Sequence, residues 1–362
     1  MRIIDLDTHI GPKDQWDYLP DEFRTMRPIQ VFDRLGRTVL VNPPRSQGDA
    51  QPNRRESATF ELKKTATPGY FDPEVRLKDM DKLGIELQML NPRLSPICYE
   101  IEPKLGAALC KSTNQSIGNI LKKHPDRFLG AAILPTQDIR ASLDEAERSM
   151  EMGFHALFLK TNQGGKNFDD YDFWPIYDYA EKNDIPIILH PTNLDKGSAI
   201  QPGRLKSPWS QTAGFLAEYL VSMCSLIFGG VLDAYPNLRF CLQEGGATWI
   251  PWYLDRLSNT YDSDEKARKT AKHPTKYFDS NFFFTIEPSE RALGFLCEHV
   301  SSKNLMLGSD YPHPDITGRF DPNGELTNTI KLLMVREDLS KEAKEDIAYK
   351  NALMFLGSQL KN

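Results

Sequence analysis

The chain has 362 residues, 40% of them hydrophobic and 26% charged, with a formal net charge of −6. That apolar content is enough for a large core and argues against a disordered chain, while the interleaved charges leave no basic stripe for nucleic acid or a membrane surface. No stretch approaches the roughly 18 apolar residues of a membrane helix, and the opening Met1-Arg-Ile-Ile lacks a signal-peptide pattern, so a cytoplasmic protein is expected.

Short apolar, β-branched runs alternate along the chain with longer helical patterns. A strand is predicted at Arg2–Asp7. A proline-rich, charged insertion at 11–72 follows, carrying aromatic residues such as Trp16, Tyr18, Phe23, Phe32 and Tyr70. Then come a helix at Val75–Leu83, a strand at Glu86–Asn91, a helix at Leu105–Lys123 and a strand at Phe128–Leu134. The alternation continues with Ala141–Met152, Ala156–Lys160, Asp172–Asn183 and Pro186–His190. After a polar loop at Asn193–Gln211 it resumes with helix Phe215–Phe228, strand Leu238–Gln243, helix Trp249–Ser258, strand Asn281–Ile286, helix Ser289–Cys297, strand Asn304–Ser309 and helix Lys341–Leu356. Eight strands, each followed by a helix, predict an α/β fold of the (β/α)8 TIM-barrel type, with residues 1–362 forming one domain. The insertion follows the C-terminal end of a strand, where a barrel builds its active site, and is read as a lid or a subunit contact. Cys98, Cys110, Cys224, Cys241 and Cys297 are odd in number, show no CxxC spacing and read as reduced thiols.

The polar residues that interrupt the apolar strands carry the chemistry. In the first strand Asp5, Asp7 and His9 alternate, and alternation sends side chains to one face. The fifth strand ends in His190 and the eighth in Asp310. Strands one and eight are neighbours in a closed barrel and strand five supplies the opposite wall, so these ends converge at the mouth. Two imidazoles and two carboxylates suit one divalent ion, Zn²⁺ with Mn²⁺ as the alternative. His124, His155, His273 and His299 lie away from strand C-terminal ends and read as structural.

With Asp7-Thr-His9, His190 and Gly308-Ser-Asp-Tyr-Pro-His in place, the chain resembles the amidohydrolase superfamily, in the branch containing aminocarboxymuconate semialdehyde decarboxylase and γ-resorcylate decarboxylase. The resemblance implies that Asp7, His9, His190 and Asp310 are the metal ligands, that the substrate is a small carboxylic acid, and that the protein is a homodimer or larger homo-oligomer. It also exposes a departure. Members of that branch place a catalytic histidine at the end of strand six, and here Glu244 takes that place. A carboxylate polarises water or accepts a proton, but gives one up near neutral pH less readily than imidazolium. Capping the next helix or orienting a ligand is the other reading of Glu244.

Further residues at the mouth complete the expected site. Arg93 and Lys160 are cationic handles for an anionic substrate group, and His313, three residues after Asp310, is an acid/base candidate. Trp174, Trp209 and Phe284 suggest a flat or apolar body beside the metal. Two reactions follow. Either the ion chelates the substrate while Asp310 transfers the proton that replaces CO₂, or an activated water attacks an ester, amide, lactone or activated C–C bond. A non-catalytic binding subunit is the third reading, opposed by the intact ligand set.

Overall fold

The computed structural model describes residues 1–26, 29–32, 38–41, 60–61, 68–92, 101–161, 163–191, 197–200, 209–312 and 329–360. The first barrel position is shared by β1 (Ile4–Asp5) and β2 (His9–Ile10). The remaining seven are β6 (Leu87–Pro92), β7 (Phe128–Ile133), β8 (Ala156–Lys160), β9 (Ile187–His190), β10 (Phe240–Leu242), β11 (Phe282–Ile286) and β12 (Leu305–Leu307). All pairings among them are parallel and follow chain order. The Leu6 amide donates to the Leu307 carbonyl at 3.0 Å and the His9 amide to the Tyr311 carbonyl at 2.7 Å, which joins the last strand to the first. A (β/α)8 barrel results, as expected.

The helices are α1 (Pro73–Leu83), α2 (Pro103–Lys123), α3 (Ile139–Glu151), α4 (Trp174–Lys182), α5 (Phe215–Phe228), α6 (Val231–Ala234), α7 (Ile250–Ser263), α8 (Leu293–His299), α9 (Thr329–Met334), α10 (Lys341–Glu345) and α11 (Asn351–Leu356). Their starts follow from local chemistry. Asp72 accepts from the Glu74 amide ahead of Pro73, and Asp138 accepts from the Ala141 amide, so orphan donors of the first turn are satisfied. Among the described residues no helix is long and apolar enough to cross a membrane.

Side chains from alternate strand positions fill two layers. Leu6, Met89, Leu129, Ala131, Ile133, Phe158, Ile188, Cys241, Phe283 and Met306 fill the barrel interior. Leu90, Ala132, Leu157, Leu189, Leu242 and Phe284 face outward onto the helices. An enclosed interior packed this way is a floor, which leaves the C-terminal mouth as the place for polar groups.

Two expectations are corrected and one element is added. The predicted first strand is interrupted between Asp5 and His9, and the break shifts the alternation. Ile4 and Leu6 pack inward while Asp5 turns to Gln88 and Ser309, so Asp5 does not share the face of Asp7 and His9. The last predicted helix holds a π-helical turn at Asp346–Lys350 between α10 and α11. Finally, the insertion has a sheet of its own, the antiparallel order β3 (Ile29–Phe32), β4 (Thr38–Val41) and β5 (Phe60–Glu61).

His155, just ahead of β8, is mostly buried, and its Nδ1 accepts the Gly130 amide at 3.3 Å. Burial lowers its pKa to about 4 from 6.5. The unfolded chain therefore takes up a proton near pH 6.5 that the folded chain refuses until about pH 4. Stability from the neutral imidazole is complete above pH 6.5 and is lost as pH falls through that window, at about 1.4 kcal/mol per pH unit. His155→Gln is expected to lose roughly 2 kcal/mol less stability than wild type between pH 7 and 4.5 in urea denaturation. Parallel pH profiles for the two proteins would mean that the imidazole titrates normally.

Candidate metal centre

The mouth of the barrel brings five predicted residues to one point. His9 leaves β2, His190 ends β9, Asp7 sits in the break of the first strand, and Glu244 and Asp310 follow β10 and β12. His9 Nε2 lies 3.3 Å from His190 Nε2, 3.1 Å from Asp310 Oδ1 and 3.6 Å from Glu244 Oε1, while His190 Nε2 lies 3.5 Å from Glu244 Oε2. Donor atoms of Asp7, His9 and His190, and of His9, Glu244 and Asp310, fall within 4.8 Å of one another. Asp7, His9, His190 and Asp310 are buried and Glu244 is half-buried at the rim.

This donor set fits a divalent ion. Two Nε2 atoms facing each other at 3.3 Å cannot both donate, but both lone pairs can address one cation. The His190 ring is set by its Nδ1, which donates to the Pro191 carbonyl at 3.2 Å, so that Nε2 is the atom that could address an ion. Three carboxylates collected around two imidazoles in a buried mouth also call for a balancing positive charge.

The supporting residues fix the two carboxylates that follow strands. Glu244 and Asp310 both adopt left-handed backbone, with φ of 59° and 52°. Such conformations are uncommon for residues other than Gly, Asn and Asp, so at Glu244 the site holds the chain against its preference. The Asp310 amide donates to the Asp7 carbonyl at 2.6 Å, and the Glu244 amide donates to Asp7 Oδ2 at 3.1 Å. Thr285 Oγ1 donates to the same Asp7 oxygen at 3.2 Å. Gln243 accepts from Asn91 at 3.0 Å and donates to the Leu6 carbonyl at 2.6 Å, which ties β6 and β10 to the first strand.

Sequence reasoning had passed over Thr285, Gln243, Asn91 and Phe158. The first three were legible in principle, because each is a polar residue on the inward side of an otherwise apolar strand. Phe158 lies inside the barrel with its ring 5.7 Å from that of His190. The expected aromatic wall is corrected. Phe284 packs outward against Trp249 and Phe278, Trp174 packs against Tyr235, and Trp209 is 55% exposed.

Lys160 is fully buried at the end of β8, in register with His190 on β9. Arg93 and His313 lie outside the described residues. Glu244 does not cap α7, since the amides of Ala247 and Thr248 ahead of that helix donate to Glu290 Oε2 at 2.9 and 3.0 Å.

The 2-amino-3-carboxymuconate-6-semialdehyde decarboxylase of Dictyostelium discoideum is 30% identical over 290 residues, covering 79% of this chain and 77% of that protein. The γ-resorcylate decarboxylase of Rhodococcus jostii is 30% identical over 260 residues, covering 67% of this chain and 78% of that one. Among solved structures, a 5-carboxyvanillate decarboxylase from Novosphingobium aromaticivorans, complexed with manganese and 4-hydroxy-3-methoxy-5-nitrobenzoic acid, shares the fold. It matches with a TM-score of 0.73 at 19% identity, covering 98% of this chain and 96% of that one. A family model described as Amidohydrolase matches residues 4–357, from the first strand to the last helix, and the chain belongs to the amidohydrolase family.

Proposed function

We propose that this protein is a metal-dependent carboxy-lyase that removes CO₂ from a small aromatic or unsaturated carboxylic acid. The observation that carries the reading is the convergence of Asp7, His9, His190 and Asp310 at the barrel mouth. The two decarboxylase relatives, each 30% identical over most of the barrel, point to the same chemistry. A divalent ion held by those four residues, Zn²⁺ or Mn²⁺, would bind the substrate carboxylate and stabilise the charge left as CO₂ departs.

The protein's own residues supply the rest. As the C–C bond to the carboxyl group breaks, its electron pair takes a proton from the Asp310 carboxyl, and solvent reprotonates Asp310 for the next turnover. Thr285 and the Glu244 amide hold Asp7 in place, so the ligand set keeps its geometry as charge moves. The packed interior beneath, with Phe158, Ile188 and Phe283, closes the floor to water. Lys160 and Arg93 take the anionic groups of the substrate, and His313 assists proton exchange. The 11–72 insertion covers the mouth or meets a second subunit, in a cytoplasmic homodimer or larger homo-oligomer.

One observation favours the hydrolytic alternative. A carboxylate, Glu244, faces both imidazoles, and a carboxylate accepts a proton from water more readily than it donates one. The deciding experiment measures CO₂ release from hydroxybenzoates and muconate-like acids beside hydrolysis of esters and lactones, with Zn²⁺- and Mn²⁺-loaded protein. CO₂ release abolished by a chelator is the expected result. Hydrolysis without CO₂ release would replace the lyase reading.

A further inference from the structure

We infer that Glu244 is a fifth donor to the ion and that it biases the site toward Mn²⁺ over Zn²⁺; this rests on the four-ligand reading above. Its carboxylate spans the two imidazoles, with Oε1 3.6 Å from His9 Nε2 and Oε2 3.5 Å from His190 Nε2. Donor atoms of His9, Glu244 and Asp310 all lie within 4.8 Å of one another. With metal–ligand bonds of about 2.1 Å, donors on opposite sides of one ion stand about 4.2 Å apart, so these atoms are spaced for a single shell after small adjustments.

The backbone is built to deliver this carboxylate. Glu244 sits in left-handed conformation at φ 59°, with its amide committed to Asp7 Oδ2 at 3.1 Å and to Thr285 Oγ1 at 3.3 Å. The preceding Gln243 carbonyl accepts the Tyr219 hydroxyl. At Gly245 a Cβ would come within 2.5 Å of the Tyr219 ring, so the chain must pass with no side chain there. The helix-capping task that would otherwise draw a carboxylate to this position belongs to Glu290.

Counting Glu244, the set is three carboxylates and two imidazoles. Structural Zn²⁺ sites are almost always four-coordinate, and catalytic ones keep three protein ligands with an open position. Mn²⁺ favours six-fold, oxygen-rich shells, so five protein donors leave it one position for substrate. Glu244 is also the most accessible of the five, with a side chain 17% exposed. It therefore stands where an entering substrate would first meet the ion.

The test titrates metal-free wild type, Glu244→Gln and Glu244→Asn with MnCl₂ and with ZnCl₂, following bound metal by equilibrium dialysis and free Mn²⁺ by electron paramagnetic resonance. Asn tolerates the left-handed backbone and its amide is too short to reach the imidazoles, so it serves where Gln disturbs folding. The expected result is a loss of Mn²⁺ affinity of at least about tenfold in both variants, with Zn²⁺ affinity reduced less, so that the ratio moves toward Zn²⁺. Wild-type affinity for Mn²⁺ within twofold in folded variants would overturn the inference and leave the four-ligand site standing. Failure of wild type to bind either ion would overturn both.

Discussion

Asp310→Asn is expected to fold normally, to lose the ion and to lower kcat by about 10³-fold, within the range of 10² to 10⁴ usual for a positioned general acid or base. Asn has the shape of Asp and accepts the left-handed backbone that Asp310 adopts at φ 52°. The hydrogen bond that the amide of residue 310 donates to the Asp7 carbonyl does not depend on the side chain and survives. What disappears is the anionic oxygen 3.1 Å from His9 Nε2 and the carboxyl proton. Both proposed roles of Asp310 therefore fail together while the barrel stays intact. Metal per chain, measured by inductively coupled plasma mass spectrometry, should drop with a weakening of at least about tenfold, or 1.4 kcal/mol. Circular dichroism should be unchanged. A variant that keeps its metal and turns over within tenfold of wild type would remove Asp310 from both roles.

The barrel was legible because its signal is repeated. Each buried strand is a short apolar run, each helix a longer one, and the mouth is marked where a polar residue ends an apolar strand, as in Leu189-His190 and Ser309-Asp310. The site residues followed from that rule and from the adjacency of the first and last strands. Other features depended on contacts far apart in sequence. Asp5, Asp7 and His9 read as one unbroken alternation, and only the bonds of Asp5 to Ser309 and Gln88 show that the first strand breaks and changes phase. The aromatic residues misled for a related reason. Phe284 and Phe283 are equally apolar neighbours in sequence, and their opposite faces are assigned only once the strand is placed in the sheet. Glu244 was assigned to the mouth by the resemblance, as the residue in the place of the strand-six histidine, whereas its approach to both imidazoles is set by a left-handed backbone and by a bond to Asp7, 237 residues away.

Arg76→Met is expected to destabilise the protein by about 3 to 5 kcal/mol, the cost of removing one member of a buried charged network. Arg76 lies on α1 and is fully buried. Its Nη1 donates to Thr8 Oγ1 and Gln88 Oε1 at 3.0 Å each, its Nε donates to the Gly69 carbonyl at 3.1 Å, and its Nη2 donates to the His9 carbonyl. Its guanidinium stacks 4.6 Å over the ring of Tyr311, the residue after Asp310. Burial lowers its pKa to about 10, which still leaves a cation at neutral pH. Beyond Gln88, which donates to Asp5 Oδ2 at 3.0 Å, lies the Asp5 carboxyl, whose pKa burial raises. Methionine fills much of the volume but strands four buried acceptors, each costing about 1 to 3 kcal/mol when left unmade. Against a total stability of about 5 to 15 kcal/mol, that is a large share. Arg76→Lys restores the charge without the planar fork, so it should recover only part of the loss. Because Arg76 grips the segments that carry His9 and Asp310, the Met variant should also bind metal more weakly. Urea denaturation of metal-free wild type, both variants, Asp5→Asn and the Asp5→Asn/Arg76→Met double variant measures these terms. A coupling energy above about 0.5 kcal/mol is expected between the two positions, since they share Gln88. Additive losses, or an Arg76→Met cost under about 1 kcal/mol, would mean that Arg76 fills space there and holds neither ligand segment.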